Sequence, residues 1–284
     1  MRKTFNVASK SLRDQRWQIV GYGLALLSMA AMIVFIWPSY RTTVESINLP
    51  QAVQAFLGSD LNYASAPGFV SAEFFSWIPV LLIVYAVVQG TGAIAGEEGS
   101  GTIDLLMAQP VARSAIVLQK CLAFCVGAAL VVVLGFGGFA VSVPFVSIDI
   151  TLADAAVASA NLLPITLLFF TFSLWLGAMA PNRGVAAGAA VAVATATYFA
   201  NSLASGVDAL SGLRYASPFY YYGAGLPLVK GIDWPHATLL MGIALLFLVL
   251  TLRAFERRDI ATGGAAFSAP RDLLRRVMGG AQKA

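Results

Sequence analysis

Residues 96–120 read GEEGSGTIDLLMAQPVARSAIVLQK and form the longest interior stretch carrying several charges. On either side lies an uncharged hydrophobic run long enough to cross a bilayer, so this segment reads as a loop between two spans. Its punctuation is helical. Gly99 and Gly101 break the preceding helix, and Thr102 is placed to cap a new one. Asp104 falls in the first turn, where a negative charge suits the helix dipole. Ile103, Leu106 and Met107 then occupy i, i+3 and i+4, giving a narrow apolar face on a helix of about two turns. Pro110 ends it, and Ser114 is the expected cap of the next helix, which enters the membrane. A short helix at the end of two spans is well placed to press on a soluble partner. A chance amphipathic connector explains the pattern equally well, and pattern alone leaves both readings open.

Composition decides the broad class. Of the 284 residues, 58% are hydrophobic and 11% are charged, against about 25% charged in an ordinary soluble domain. So few charges cannot cover a soluble globule of this size, and lipid must solvate most of the surface. The formal net charge of +4 is crowded into the two tails and not spread in a stripe with aromatics, which argues against nucleic-acid binding. Cys121 and Cys125 sit i and i+4 in an apolar run, too far apart for an easy disulfide. They read as small buried hydrophobes and not as metal or redox groups.

Working outward from the loop gives six spans, at about 19–37, 74–95, 121–143, 161–180, 185–203 and 236–252. Residues 1–18 are basic, with Phe5, Leu12 and Trp17 as an apolar edge, and are expected to form an amphipathic helix at the cytoplasmic interface. The first span is about 28 Å long as a helix, and no small-x-small cleavage site follows it, so it is retained. In the first loop, Leu49 to Leu57 is an amphipathic candidate, and Pro67-Gly68 is the expected turn into the second span. Asp149 and Asp154 mark a short loop before the fourth span. Pro181-Asn182-Arg183-Gly184 is a tight turn, which makes spans four and five antiparallel neighbours. In the fifth span, Gly184, Gly188, Ala192, Ala196 and Ala200 recur every four residues and permit close approach of another helix, either within the bundle or at a subunit interface. Residues 204–235 are rich in aromatics, including Tyr215, Phe219, Tyr220, Tyr221, Tyr222 and Trp234, which favour the headgroup level; a re-entrant or interfacial piece fits, and a plain aromatic belt explains them equally well. Residues 253–284 are a basic tail.

Charge placement sets the orientation. With both ends in the cytoplasm, the inside receives both basic tails with Arg113, Lys120 and Arg183, while the outside keeps Arg41, Arg214 and Lys230. The central loop is then cytoplasmic. Energy must reach it from elsewhere, because there is no G-x-x-x-x-G-K-[ST] phosphate loop and no Asp, Glu, Lys or Arg deep in the six expected spans to serve as an ion relay. The single histidine, His236, lies at a span end and cannot build a zinc site alone.

The pattern E-E-x-x-G-T-x-x-x-L-x-x-x-P-x-x-R-x-x-x-x-x-K, carried by Glu97, Glu98, Gly101, Thr102, Leu106, Pro110, Arg113 and Lys120, resembles the cytoplasmic loop of ABC-2 type exporter permeases. WPSY at Trp37–Tyr40, ASPFYYYG at Ala216–Gly223 and FERRDI at Phe255–Ile260 extend the resemblance over nearly the whole chain. It implies an all-α membrane protein of the ABC-2 (type V exporter-like) fold, in which residues 19–252 are the six-helix transmembrane domain. In that fold the loop 96–120 would be the coupling element for an ABC ATPase, with Asp104 and Met107 among its contact residues. Two ATPase copies would bind ATP and magnesium, and this chain would hold no cofactor. A second permease subunit, identical or paralogous, would complete a pathway for export of an amphipathic or hydrophobic drug, antibiotic, peptide or lipid across the cell membrane. By the same resemblance the pathway is lined by the second and fifth spans, here Trp77, Tyr85, Gln89, Thr195, Tyr198 and Asn201. The competing reading is a non-transporting membrane anchor or assembly subunit for a soluble partner.

Overall fold

A computed structural model of the chain describes residues 5–46, 65–99, 112–223 and 226–257. Every regular element among them is helical. Six helical stretches are long and apolar enough to cross a membrane: Val7–Thr43, Ala66–Gly99, Arg113–Phe145, Leu152–Met179, Arg183–Ala204 and Trp234–Glu256, termed spans 1 to 6. Successive spans run in opposite directions, so the two described chain ends share one side, termed the terminal face.

The helices are longer than the uncharged runs, for identifiable reasons. Span 1 belongs to one helix, Phe5–Ser46, which runs on from residues 5–18 of the basic N-terminal stretch and continues through Pro38. No Gly or Pro interrupts the chain before Gly21, and Ala8, Gln15, Ile19, Leu26, Ala30, Ile33 and Trp37 form one continuous buried face. At about 63 Å this 42-residue helix is roughly twice the hydrocarbon thickness, so it extends well beyond the bilayer. The Leu49 to Leu57 candidate lies outside the described residues.

Span 2 begins at Ala66, not near Phe74. Ser65 Oγ accepts the N–H of Gly68 at 3.2 Å, and Pro67 occupies the first turn, where a missing N–H costs nothing. The expected Pro67-Gly68 turn is therefore the first turn of the helix. Span 3 begins at Arg113, which places Ser114 inside the first turn and not at the cap. The loop containing Asp149 and Asp154 is shorter than expected, because Thr151 Oγ1 accepts the N–H of Asp154 at 3.1 Å and starts a helix over Leu152–Ala160. Asn161 breaks span 4, which continues as Leu162–Met179. Span 5 starts after Asn182, whose Oδ1 accepts the N–H of Val185 at 3.0 Å.

Spans 1 and 3 pack backbone to backbone. A Cβ built at Gly138 would stand 2.3 Å from the Leu27 carbonyl oxygen, and one at Gly23 would stand 2.4 Å from Leu134. Spans 2 and 4 also meet closely, since a Cβ at Gly90 would lie 2.7 Å from the Phe170 carbonyl oxygen. The spaces between these pairs are filled by aromatic rings. Tyr22, Tyr85, Phe124 and Phe170 make successive ring contacts across spans 1 to 4, closing with Phe124 on Phe170 at 3.8 Å, nearly parallel. Such offset pairs add about 0.5–1.5 kcal/mol each beyond the area they bury.

Span 5 is peripheral: 17% of it is buried, against 61% of spans 2 and 4. Its buried row is Ala186, Ala190 and Ala194, and near its far end Tyr198 sets its ring against Phe219. The small-residue row read from the sequence is the other one. Gly184, Gly188, Ala192 and Ala196 are exposed, Ala200 is half-buried, and nothing stands within 4 Å of a Cβ at Gly188. This row does not serve packing within the protomer.

The aromatic segment after span 5 is tied to the bundle and is more than a belt. Its helical pieces are Asp208–Ala216, Pro218–Tyr222 and Leu226–Lys230. Ser217 Oγ donates to the Thr197 carbonyl at 2.7 Å, and Asn161 Nδ2 donates to that of Tyr222 at 3.0 Å. Tyr222 is buried and its hydroxyl donates to the Phe75 carbonyl at 3.0 Å. Burial also pushes its phenol well above the ordinary range, which keeps it a donor. Tyr215 and Trp234 remain largely exposed, as rings at a headgroup boundary would be.

Candidate functional site

The terminal face carries a polar cleft of about 190 Å³ among spans 1, 2, 3 and 5. Span 1 contributes Asp14, Gln15 and Gln18; span 2 contributes Gln89 and Glu97; Lys120 and Arg183 come from the starts of spans 3 and 5. Phe124 and Phe170 also line it. Because each helix arrives here at one of its ends, polar side chains gather at the membrane boundary, where they are cheapest to place.

The centre of the cleft is a cation held by span 2. Lys120 is only 6% exposed, its Nζ donates to the Ala93 carbonyl at 2.5 Å, and it forms an ion pair with the Glu97 carboxylate. Glu97 follows directly on Gly92–Gly96, a wide π-helical turn. Such turns shift the regular backbone ladder and favour carbonyl contacts from outside the helix. A second cation reaches the same segment: Arg183 Nη2 donates to the Val88 carbonyl at 3.1 Å. Removing one partner of a buried ion pair costs about 3–5 kcal/mol, and the 28% exposure of Glu97 puts this pair toward the lower figure.

Span 1 closes the other wall. Gln89 Nε2 donates to Gln18 Oε1, and the Tyr85 hydroxyl donates to Gln15 Oε1 at 3.2 Å. Arg113 Nη1 donates to the Phe255 carbonyl at 3.4 Å, joining the start of span 3 to the end of span 6. The cleft thus holds two carboxylates, Asp14 and Glu97, and two cations, Lys120 and Arg183, for no net formal charge. That balance suits a network that holds helices together and not one that attracts a charged ligand. Among the described residues there is no group of three metal-ligating side chains.

The residues singled out from the sequence divide into separate places. Glu97, Lys120 and Gln89 meet in the cleft, while Glu98 is half-buried beside it in sequence and Arg113 lies at the span 3–span 6 junction. Gly101, Thr102, Asp104, Leu106, Met107 and Pro110 lie outside the described residues. Of the pathway candidates, Tyr85 is wholly buried within the protomer, against Phe124 and Tyr22. Trp77 is 57% exposed near the opposite end of span 2. Thr195 is exposed on span 5, whereas Tyr198 is half-buried with its ring edge-on to Phe219, and Asn201 is half-buried. These six side chains do not share one surface of the protomer. Sequence reading missed Asp14, Gln15, Gln18 and Arg183. The available signal was two glutamines, Gln15 and Gln18, one turn apart just before an uncharged run; Arg183 registered only as an orienting charge.

Comparison with known proteins agrees with this architecture. Residues 5–260 match the family described as ABC-2 family transporter protein. An uncharacterized protein of Bacillus subtilis, YhcI, is 26% identical over 208 residues, covering 64% of this chain and 66% of that one. The probable ABC transporter permease protein NosY of Stutzerimonas stutzeri is 27% identical over 146 residues, covering 50% of this chain and 46% of its own. The chain therefore spans about half to just under two thirds of the length of these curated relatives.

Proposed function

Since the chain belongs to the ABC-2 family of transporter proteins, a family of multi-pass membrane subunits and not of ATPases, we propose that it forms the membrane pathway of an ATP-driven exporter in the cell membrane. In this reading two copies of a separate ABC ATPase bind ATP and magnesium and dock on the loop 96–120 from the cytoplasm. A second permease subunit pairs against the exposed small-residue row of span 5. The cargo is an amphipathic or hydrophobic drug, antibiotic, peptide or lipid.

The observation that carries this reading is how the loop is anchored. Glu97 near its start is paired with Lys120 at its end, and Arg113 bonds the end of span 6. A force applied to this loop therefore acts on spans 2, 3 and 6 together, as a loop that receives work from a soluble partner requires. The exposed row on span 5 supports pairing, because small side chains let two backbones approach closely in lipid.

The test is reconstitution with the product of the adjacent reading frame, expected in this reading to be an ABC ATPase. ATP-dependent movement of rhodamine dyes, labelled peptides or labelled lipids in proteoliposomes is the expected result. Glu97→Ala should lower both transport and permease-stimulated ATP turnover several-fold at equal membrane abundance. A co-purifying partner without a phosphate loop, or normal transport by that variant, would rule the reading out.

A further inference from the structure

We propose that Arg183 is a positioning residue that carries displacement of the loop after span 2 into span 5; the inference rests on the transporter reading above. Arg183 is the first residue of span 5, and beyond its hydrogen bond to the Val88 carbonyl its side chain lies along span 2. A Cβ at Gly92 would come within 3.3 Å of Nη2, and one at Gly96 within 3.5 Å of Cδ. Two glycines four residues apart thus leave a groove on one face of the π-turn, and the arginine fills it.

The same turn is gripped from the other side by Lys120, through the Ala93 carbonyl and Glu97. The two grips differ in what stands behind them. Lys120 belongs to span 3, which is fixed against span 1 by glycine contacts too close to shift. Arg183 belongs to span 5, whose half beside Arg183 meets its protomer through Ala186, Ala190 and Ala194, while its far half is tied by the Ser217–Thr197 hydrogen bond and the Tyr198–Phe219 ring contact. When the loop displaces the π-turn, the firm side resists and the lightly held side follows. Span 5 is therefore the helix that moves, and its outer face is open.

Neutral contact would not transmit this motion in both directions. A guanidinium bonded to a carbonyl pulls as well as pushes, and its planar fork matches a groove made by two glycines better than a lysine ammonium does. Replacing the arginine should uncouple and not simply destabilise.

Two measurements on the full chain test this. In proteoliposomes with the partner ATPase and a rhodamine dye as probe, the quantity read is dye moved per ATP hydrolysed. Arg183→Ala and Arg183→Gln should lower that ratio about tenfold, Arg183→Lys should recover at least a third of it, and Gly92→Ala should lower it about twofold. A general structural defect lowers transport and hydrolysis together and leaves the ratio unchanged, so an unchanged ratio overturns the assignment. The second measurement needs no partner. Spin labels at Val84 and Val191, which are exposed on spans 2 and 5, report their separation in nanodiscs. Arg183→Ala should broaden the distance distribution and Arg183→Lys should restore it; identical distributions for wild type and Arg183→Ala overturn the inference. If the wild type moves no dye while the distances respond as expected, the transporter reading fails and the Arg183 link stands.

Discussion

On span 3, a Cβ at Gly138 would lie 2.3 Å from the Leu27 carbonyl oxygen, and one at Gly135 would lie 3.0 Å from Leu26. On span 5, a Cβ at Gly188 would meet nothing within 4 Å, and one at Gly184 would meet only Asn182 of its own helix cap. Both helices carry small residues at helical spacing, yet one set is consumed inside the protomer and the other is left open. In lipid, apolar burial between helices gives little drive, so association relies on close dispersion contacts that only small side chains permit. A row of small residues therefore says that a backbone can come close. Whether the approaching backbone belongs to the same chain depends on the fold. Span 5 carries both answers on opposite faces, with Ala186, Ala190 and Ala194 turned inward and Gly188, Ala192 and Ala196 turned out.

Substitutions can break or sharpen this contrast. The largest effect is expected at Gly138→Val, where backbone would have to yield; a loss of more than about 3 kcal/mol, the upper range for overpacking, should leave little folded protein by thermal denaturation in detergent. Ala190→Leu, on the buried row, should cost about 1–3 kcal/mol by the same assay. Gly188→Leu should leave protomer stability within about 0.5 kcal/mol but weaken pairing at least tenfold, read as subunit counts by single-molecule photobleaching in nanodiscs. If Gly188→Leu destabilised the protomer as much as Ala190→Leu, the two faces would not differ as described. The smallest effect belongs to Gly21→Ala on span 1, where space is open, and its melting temperature should match wild type closely.

The six crossings were legible because uncharged runs of this length have no soluble use, and the structure has six apolar helices where those runs lie. Their ends were not, because neither a charge nor a lone breaker such as Pro38 need stop a helix. Span 1 passes through Arg13, Asp14 and Arg16 without a break, and Pro67 fits a first helical turn as readily as a loop. Faces were also hidden. In a segment as uniformly apolar as Ile78–Thr91, nothing in periodicity separates Tyr85, wholly buried, from Val84, nearly half exposed. In the cleft, Glu97 and Lys120 were singled out individually, but their pairing brings together residues on either side of a long loop. Arg183 is still further away in sequence, and the glycines that seat it, Gly92 and Gly96, show their purpose only when the groove is built.

The central claim is that work enters this molecule at the terminal face, through the loop that Glu97 and Lys120 hold at its base. Its most direct test is the side of the membrane on which that loop lies. With a cysteine at Ser100 and both native cysteines replaced by alanine, a membrane-impermeant maleimide should leave intact cells unlabelled and react fully in inverted vesicles. Labelling in intact cells would put the loop beyond the reach of any cytoplasmic ATPase and contradict the account.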